Sequence, residues 1–418
     1  YNPDAKKMEI KMKKTNISAL LLAALLLIQL LCAPVSAVTA EPAADAQADA
    51  QTATDNSAED AAAADDSVPE DQLLSSREQF SVAAKAALLI DLNTNRVVYE
   101  QDADERVYPA SLTKIMTCLI ALENGNLSDV VTVSESALAD LDEDSSVAGL
   151  VVGEQMTLEN LLYCMMVVSG NDACNVIAEH VAGSVTDFVR MMNQRAYELG
   201  CTNTHFNNPH GLHDESHYTT ARDLAIITQA ALKSENFRQI VDTYEYKLPD
   251  DNMRQNIPKL KTTNMLIYQS MSNSLYYPRA HGIKTGYTSQ AGRCVISEAT
   301  GDGLDLLGIV CGAATTVLDS GDLLMENFTE CARLFDYGFD NYSYLTLMSP
   351  LYPVDQVKIN NSAGAEAVAV APEDEIKVLL PNDYDPDQLE TKIQLNSESV
   401  DAPVHAVSYT HLRAHETK

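Results

Sequence analysis

The sequence predicts an α/β (α+β) fold: helices packed on a sheet, a helical lobe beside it, and a small β-rich C-terminal domain after it. Three observations predict this. Apolar runs at Ala86–Leu92 and Arg96–Tyr99 flank the turn residues Asn93-Thr94-Asn95, which is a hairpin signal. Helical patterning then dominates from Pro109 to Lys233. From His281 the period returns to that of strands, at 281–286, 293–300 and 304–312, with Gly301-Asp302-Gly303 as a tight turn between the last two.

The elements follow in order. Pro109-Ala110-Ser111 opens a helix that runs through Glu123 and stops near Gly125. Leu158–Val168 is apolar enough for a buried helix, and Asp172–Val181 reads as another, with Ser169-Gly170-Asn171 between them. Thr219–Lys233 is a third helical pattern. A last helix is expected over Asp319–Tyr337, with Leu324, Phe328, Cys331 and Phe335 on one stripe. Together these place residues 79–345 in one unit. Pro350-Leu351-Tyr352-Pro353 marks a boundary, and alternating runs at 354–359, 367–370, 376–380 and 391–395 predict a β-rich domain over 350–404. Residues 405–418 shift abruptly to His, Tyr, Thr and Arg and read as a non-native tail.

The N-terminal residues 1–37 read as a non-native leader and a secretory signal. Lys11, Lys13 and Lys14 precede the apolar run Ile17–Cys32, and Val35-Ser36-Ala37 supplies a small-x-small cleavage site after Ala37. The run falls short of the roughly 20 apolar residues of a membrane span. Residues 38–78 are an acidic, Ala-rich linker. From Val38 to Ser76 there are ten acidic residues, twelve Ala and no Lys or Arg, too little apolar surface to offset ordering entropy. An exported, extracytoplasmic protein is expected, at the cell wall or the outer face of the cytoplasmic membrane. Of eight Cys, seven follow the signal, none in CxxC spacing and most in apolar runs, which predicts buried free thiols.

With 28 Lys+Arg against 60 Asp+Glu the net charge is −32, which excludes nucleic acid as a partner, because that partner requires a basic patch. It equally disfavours docking on anionic lipid through basic clusters.

Three short elements carry the chemistry: Ser111-Leu112-Thr113-Lys114, Ser169-Gly170-Asn171 and Lys284-Thr285-Gly286. Each alone is common; in this order and local setting they form a specific set. Ser111 and Lys114, three apart, share a helix face, and a Lys of lowered pKa can take the proton of a serine hydroxyl. The bland alternative is an N-cap Ser beside a surface Lys. Ser169 and Asn171 stand between two helices, where Ser169 could relay a proton and Asn171 could donate to a substrate amide; the alternative is helix punctuation by Gly170 and Asn171. Lys284 supplies a positive charge in an acidic protein, Thr285 can bond a carboxylate, and Gly286 lets a ligand approach the backbone. An edge strand with a solvated Lys is the competing reading.

On these residues the chain resembles the serine-type D-alanyl-D-alanine carboxypeptidases, the low-molecular-mass penicillin-binding proteins of peptidase family S11. The resemblance covers about residues 80–400. It extends to Tyr108-Pro109-Ala110 before Ser111, to Asn208-Pro209-His210-Gly211-Leu212, to His217–Leu224 and to His281–Thr288. It implies a β-lactamase/D,D-peptidase-like fold with no cofactor and no metal. Ser111 is the implied nucleophile, Lys114 its base, and Ser169 the relay to the leaving D-Ala amine. Asn171, Lys284, Thr285, Gly286 and Tyr287 are the implied substrate-binding residues, Lys284 and Thr285 holding the terminal carboxylate, with the backbone N–H groups of Ser111 and Tyr287 as oxyanion hole. The implied partners are the peptidoglycan stem peptide and, as inhibitors, β-lactam antibiotics. Members commonly finish with an amphipathic membrane helix; none precedes residue 405, so this C-terminus gives membrane association no support.

Three rival readings accompany this one. His205, His210, His213 and His217 lie close enough to suggest a metal-dependent peptidase, though no HExxH occurs. A serine β-lactamase shares the three motifs and needs a further carboxylate to deacylate; Glu198 and Glu215 fall in the right interval, but neither sits in a loop matching that pattern. A non-catalytic penicillin-binding scaffold is the third.

Overall fold

The computed structural model describes residues 80–404 apart from 140, 142–144, 250–252, 254–258, 271, 319–320, 322, 390, 392, 394, 396–397 and 403. The expected signal, acidic linker and tail lie outside the described residues. Two compact units divide the chain, the larger made of Phe80–Leu345 with Lys377–Asp383 and the smaller including Thr346–Ile376 and the residues from Tyr384 onward.

The larger unit is built on a five-stranded antiparallel sheet. Its strands are β1 (Ala86–Asp91), β2 (Arg96–Gln101), β3 (Ala280–Thr288), β4 (Gly292–Gly301) and β5 (Leu304–Ala313), in the spatial order β2-β1-β5-β4-β3. The sheet's first hairpin thus pairs with the last of its strands in sequence, Leu88 opposite Ile309. Both faces of the central strands are covered, which is why β1 reads as an unbroken apolar run rather than an alternating one. Leu88, Ile90, Ile296 and Ile309 enter the core under the helical lobe, whereas their neighbours Ala87, Leu89, Val295 and Val310 enter a second core on the opposite face.

The lobe comprises α1 (Lys114–Asn124), α2 (Leu158–Val167), α3 (Asn171–Ala182), α4 (Val185–Glu198), α5 (Ala221–Ala231) and α6 (Glu235–Val241), of which α4 and α6 go beyond the helices expected from the sequence. Four of the six starts follow from side-chain caps: Thr157, Ser184, Thr220 and Ser234 each accept a hydrogen bond from the N–H three residues on. Helix α1 is buried at eight successive positions, Lys114 to Ala121, so it is the axis of the lobe rather than a surface helix.

The opposite face of the sheet is closed by α7 (Glu326–Asn341), whose Phe328, Cys331 and Phe335 form the expected stripe. The helix begins seven residues later than the sequence suggested. Thr315–Val317 instead pairs with Leu323–Met325 as a short hairpin, and Leu324 stands opposite Thr316. Three β-branched residues on one arm favour that pairing over a further helical turn. In the smaller unit, Asp355–Asn360 pairs antiparallel with Ala367–Val370 and parallel with Ser399–Asp401. The expected strand at 391–395 lies partly outside the described residues, and Ser399–Asp401 makes the pairing. All seven described cysteines are buried thiols outside any disulfide.

One packing detail gives a pH dependence. Arg238 on α6 donates from Nη1 to both carboxylate oxygens of Glu298 on β4, at 2.8 and 2.9 Å. Asp305 on β5 is pushed from 3.8 to about 7, first by burial and then by the Glu298 carboxylate. The folded chain therefore holds a proton there that the unfolded chain has shed, so this contribution to stability falls as pH climbs from about 4 and is gone above about 7. Asp305→Asn is expected to raise the thermal midpoint at pH 8 while changing it little at pH 4; an unaltered midpoint at pH 8 refutes the effect.

Candidate active site

Ser111 lies in a short 3₁₀ turn, Ala110–Thr113, that runs directly into α1. In such a turn side chains three apart eclipse, which sets Lys114 beneath Ser111. The lysine Nζ lies 2.8 Å from Ser111 Oγ, 2.7 Å from Asn171 Oδ1 and 2.7 Å from the His210 carbonyl oxygen. Lys114 is fully buried, and burial lowers its pKa to about 8, against the opposing pull of Cys174 and Asp172. This geometry decides what the amine can do. A neutral amine has two N–H groups and one lone pair. Asn171 Oδ1 and the His210 carbonyl can only accept, so they take the two N–H groups and the lone pair is left to Ser111.

The turn is held by the 205–220 loop. Gly211 adopts φ +90, and a Cβ there would overlap the Ala110 carbonyl and stand 2.9 Å from Thr113 Oγ1. Thr117 Oγ1 donates to the Pro209 carbonyl at 2.6 Å. Gly211→Ala is expected to destabilise the fold by more than about 2 kcal/mol and to slow acylation of Ser111, because both the backbone conformation and the contact fail. Urea unfolding, read beside acylation kinetics, checks it; wild-type values in both refute it.

The four histidines of the rival metal reading serve this same loop. His217 Nδ1 accepts from the Asn207 N–H at 3.2 Å, so its proton sits on Nε2, which donates to Thr113 Oγ1 at 2.8 Å. His210 Nδ1 accepts from the Leu212 N–H, His205 Nδ1 lies 2.7 Å from the Ser216 carbonyl, and His213 packs edge-on against Tyr108. Burial lowers His210 to about 3 and His217 to about 4, which keeps both neutral.

The second segment sits at the α2–α3 junction. The left-handed residue there is Ser169 itself, at φ 62, not Gly170 at φ −61. Plain helix punctuation would put the glycine in that conformation. A serine held there carries a strain of about 1–3 kcal/mol, of the kind that functional sites retain. Gly170 is needed for a different reason: a Cβ would approach Asp172 Oδ1 to 2.8 Å, the Cys164 carbonyl to 3.0 Å and the Ala148 N to 3.1 Å. Asp172, buried, accepts from the N–H groups of Ala148 at 2.9 Å and Leu150 at 3.0 Å. It thereby holds the 145–150 segment against the site.

The third segment lies on β3. Lys284 is 1% exposed, and its Nζ donates to the Thr285 carbonyl at 3.1 Å. Burial, and then the charge of Lys114, press its pKa well below the usual lysine range. The sequence suggests a readily available cation here; the structure has a buried amine instead. Thr285 Oγ1 lies 2.6 Å from Thr263 Oγ1. A Cβ on Gly286 would stand 2.9 Å from the Pro109 carbonyl and 3.1 Å from Ser111 N. The missing side chain thus makes room for the chain's own nucleophile segment, rather than only for a ligand.

A cavity of about 340 Å³ opens where the three segments meet. Ser111, Ser169, Asn171, Thr285, Gly286 and Tyr287 line it, while the two lysines lie behind its wall. The structure adds Ser145, Ser146 and Arg293, which the sequence reading missed. For Ser145 and Ser146 the only signal was a pair of hydroxyls in a polar loop.

A serine bonded to a buried lysine of depressed pKa, in a cleft walled by hydroxyls, defines a serine acyl-transfer enzyme. Comparison with known proteins makes the class specific. The sequence profile of the family described as D-alanyl-D-alanine carboxypeptidase, Peptidase_S11, matches residues 73–315. D-alanyl-D-alanine carboxypeptidase DacF of Bacillus subtilis is 33% identical over 329 residues, 77% of this chain and 78% of that protein. DacC of Escherichia coli is 31% identical over 318 residues, 72% of this chain and 74% of that one. Penicillin binding protein 5 from Haemophilus influenzae superimposes with a TM-score of 0.60 at 27% identity, covering 79% of this chain and 92% of its own. The S216A mutant of the Streptomyces K15 DD-transpeptidase gives a TM-score of 0.55 at 30% identity over 63% of this chain and 100% of its own. The chain belongs to the D-alanyl-D-alanine carboxypeptidase family, peptidase S11, and is a serine-type hydrolase of that family.

Proposed function

We propose that this enzyme releases the terminal D-Ala of peptidoglycan stem pentapeptides through an acyl-enzyme on Ser111, and that β-lactams acylate the same oxygen. The observation that carries the reading is the Lys114 Nζ to Ser111 Oγ contact of 2.8 Å, with both other amine partners restricted to accepting. Lys114 takes the hydroxyl proton as Ser111 Oγ bonds to the scissile carbonyl carbon. The oxyanion is held by the N–H groups of Ser111 and Tyr287. Ser169 passes a proton to the departing D-Ala amine, and the C–N bond breaks. Asn171 keeps its amide N–H for the substrate, since its oxygen already accepts from Lys114. Water then cleaves the ester and restores Ser111.

In this reading residues 79–345 are the catalytic domain and 350–404 a β-rich accessory domain, less Lys377–Asp383, which group with the larger unit. The secretory signal read in residues 1–37 supports an exported enzyme acting at the cell wall. Against rapid β-lactam turnover, Glu198 and Glu215 are exposed, and no Asp or Glu lines the cavity among the described residues. Mass spectrometry tests the proposal: a pentapeptide should lose one D-Ala, and penicillin should leave a long-lived adduct on the intact chain. Catalytic penicillin hydrolysis with no D-Ala release would sink it.

A further inference from the structure

We propose that Cys294 and Cys311 are a reactive dithiol that closes to a disulfide when the chain folds in contact with a disulfide oxidant, and that this bond locks the sheet behind the active-site wall. Both residues lie on the face of the sheet under the helical lobe, and both are fully buried. Strands β4 and β5 run antiparallel, with Arg293 opposite Ala313 and Val295 opposite Val310. Between those pairs one residue of β4, Cys294, faces two of β5, Cys311 and Gly312, which is a β-bulge. Gly312, at φ +76, absorbs the extra residue, and Cys311 stays on the same face as Cys294. Residues opposed on antiparallel strands have Cα atoms about 4.5–5.5 Å apart, within the roughly 4.4–6.8 Å that a disulfide spans. The thiols themselves are in contact: the Cys311 S–H donates to Cys294 Sγ, which lowers the Cys294 pKa and raises that of Cys311. The carbonyls of Ala291 and Gly292 lie 3.9 Å from Cys294 Sγ, too far to compete strongly.

The exchange balances in two steps. Cys294, as the thiolate, attacks one sulfur of the oxidant's disulfide and expels the other as a thiolate. Cys311 then gives up its proton and attacks Cys294 Sγ, expelling the second half of the oxidant. One S–S bond forms in the chain, and the oxidant leaves as two thiols carrying both protons and both electrons. Burial places this chemistry in the folding chain rather than the finished one. The two strands are joined at Gly301-Asp302-Gly303, so their hairpin can bring the thiols together before the lobe covers them. The bond would tie a strand on which the site is built. Cys294 stands opposite Gly286, whose missing side chain makes room for the Ser111 turn. The Cys294 carbonyl also accepts from Asn327 Nδ2 at 3.2 Å, and Asn327 lines the cavity.

Refolding tests this on the full chain, unfolded and reduced first, then returned to buffer with oxidised and reduced glutathione or with dithiothreitol alone. The glutathione sample is expected to lose the mass of two hydrogens and to take up alkylating reagent on two fewer thiols. Digestion without reductant should release a Cys294–Cys311 linked peptide. Its thermal midpoint should exceed that of the reduced sample by roughly 5–10 °C and fall back when dithiothreitol is added. Cys311→Ala should abolish the linked peptide and the shift, whereas Cys201→Ala should keep both. A full complement of alkylated thiols after oxidative refolding overturns the proposal. So does linkage through other cysteines, or glutathione retained on Cys294 without closure. A linked chain with an unchanged midpoint overturns the locking of the sheet. Should Cys311→Ala fail to fold, the linked peptide and the thiol count of the unaltered chain decide.

Discussion

Ser111→Ala is expected to abolish covalent labelling by penicillin and to reduce D-Ala release by at least about 10⁴-fold, the scale on which losing a serine nucleophile acts. Stability should change little. The side chain is only partly buried, and the hydroxyl makes one bond, to Lys114. Losing such a bond costs about 0.5–1.5 kcal/mol. Intact-mass measurement after penicillin, with thermal unfolding of the same sample, reads both outcomes. A labelled Ser111→Ala protein would place the reactive oxygen elsewhere and undo the mechanism.

The second large effect concerns Lys114. Only the neutral amine can accept the hydroxyl proton, and its pKa lies at about 8. Acylation should therefore climb with pH and level off above about 8, with the limb belonging to the free enzyme. Lys114→Met preserves length and apolar bulk but offers no base, so acylation should fall about 10²- to 10⁴-fold and lose that limb. It also leaves Asn171 Oδ1 and the His210 carbonyl without their donor, so some loss of stability is expected. Rates that are flat with pH in wild type, or undiminished in Lys114→Met, would remove Lys114 from the role.

What the sequence made legible were periods and spacings. The apolar run at Ala86–Asp91, the turn at Gly301–Gly303 and the junction at Ser169–Asn171 each identify an element from local residues alone. The three-residue spacing of Ser111 and Lys114 predicts their meeting because a single turn enforces it. The α7 boundary was less legible, because Leu323-Leu324-Met325 is apolar enough to suit either period, and pairing with Thr315–Val317 decides it. Lys284 could not be seen as buried, since the groups that act on its charge, Lys114 and Cys174, belong to α1 and α3 and are distant in sequence. Arg293 was reachable in principle. Thr288 pairs with Gly292, so counting outward from the Ser289–Ala291 turn sets Arg293 opposite Tyr287.

The partners of Lys114 have a consequence for the chain before it has folded. Asn171 and His210 stand 57 and 96 positions further along, on separate segments. Until both arrive, the polypeptide carries an unremarkable alcohol and a fully protonated, solvated amine. Reactivity is therefore acquired late, with tertiary closure, and a half-made or unravelled molecule is chemically silent. Penicillin capture would on that account serve as a gauge of how many molecules have completed their structure.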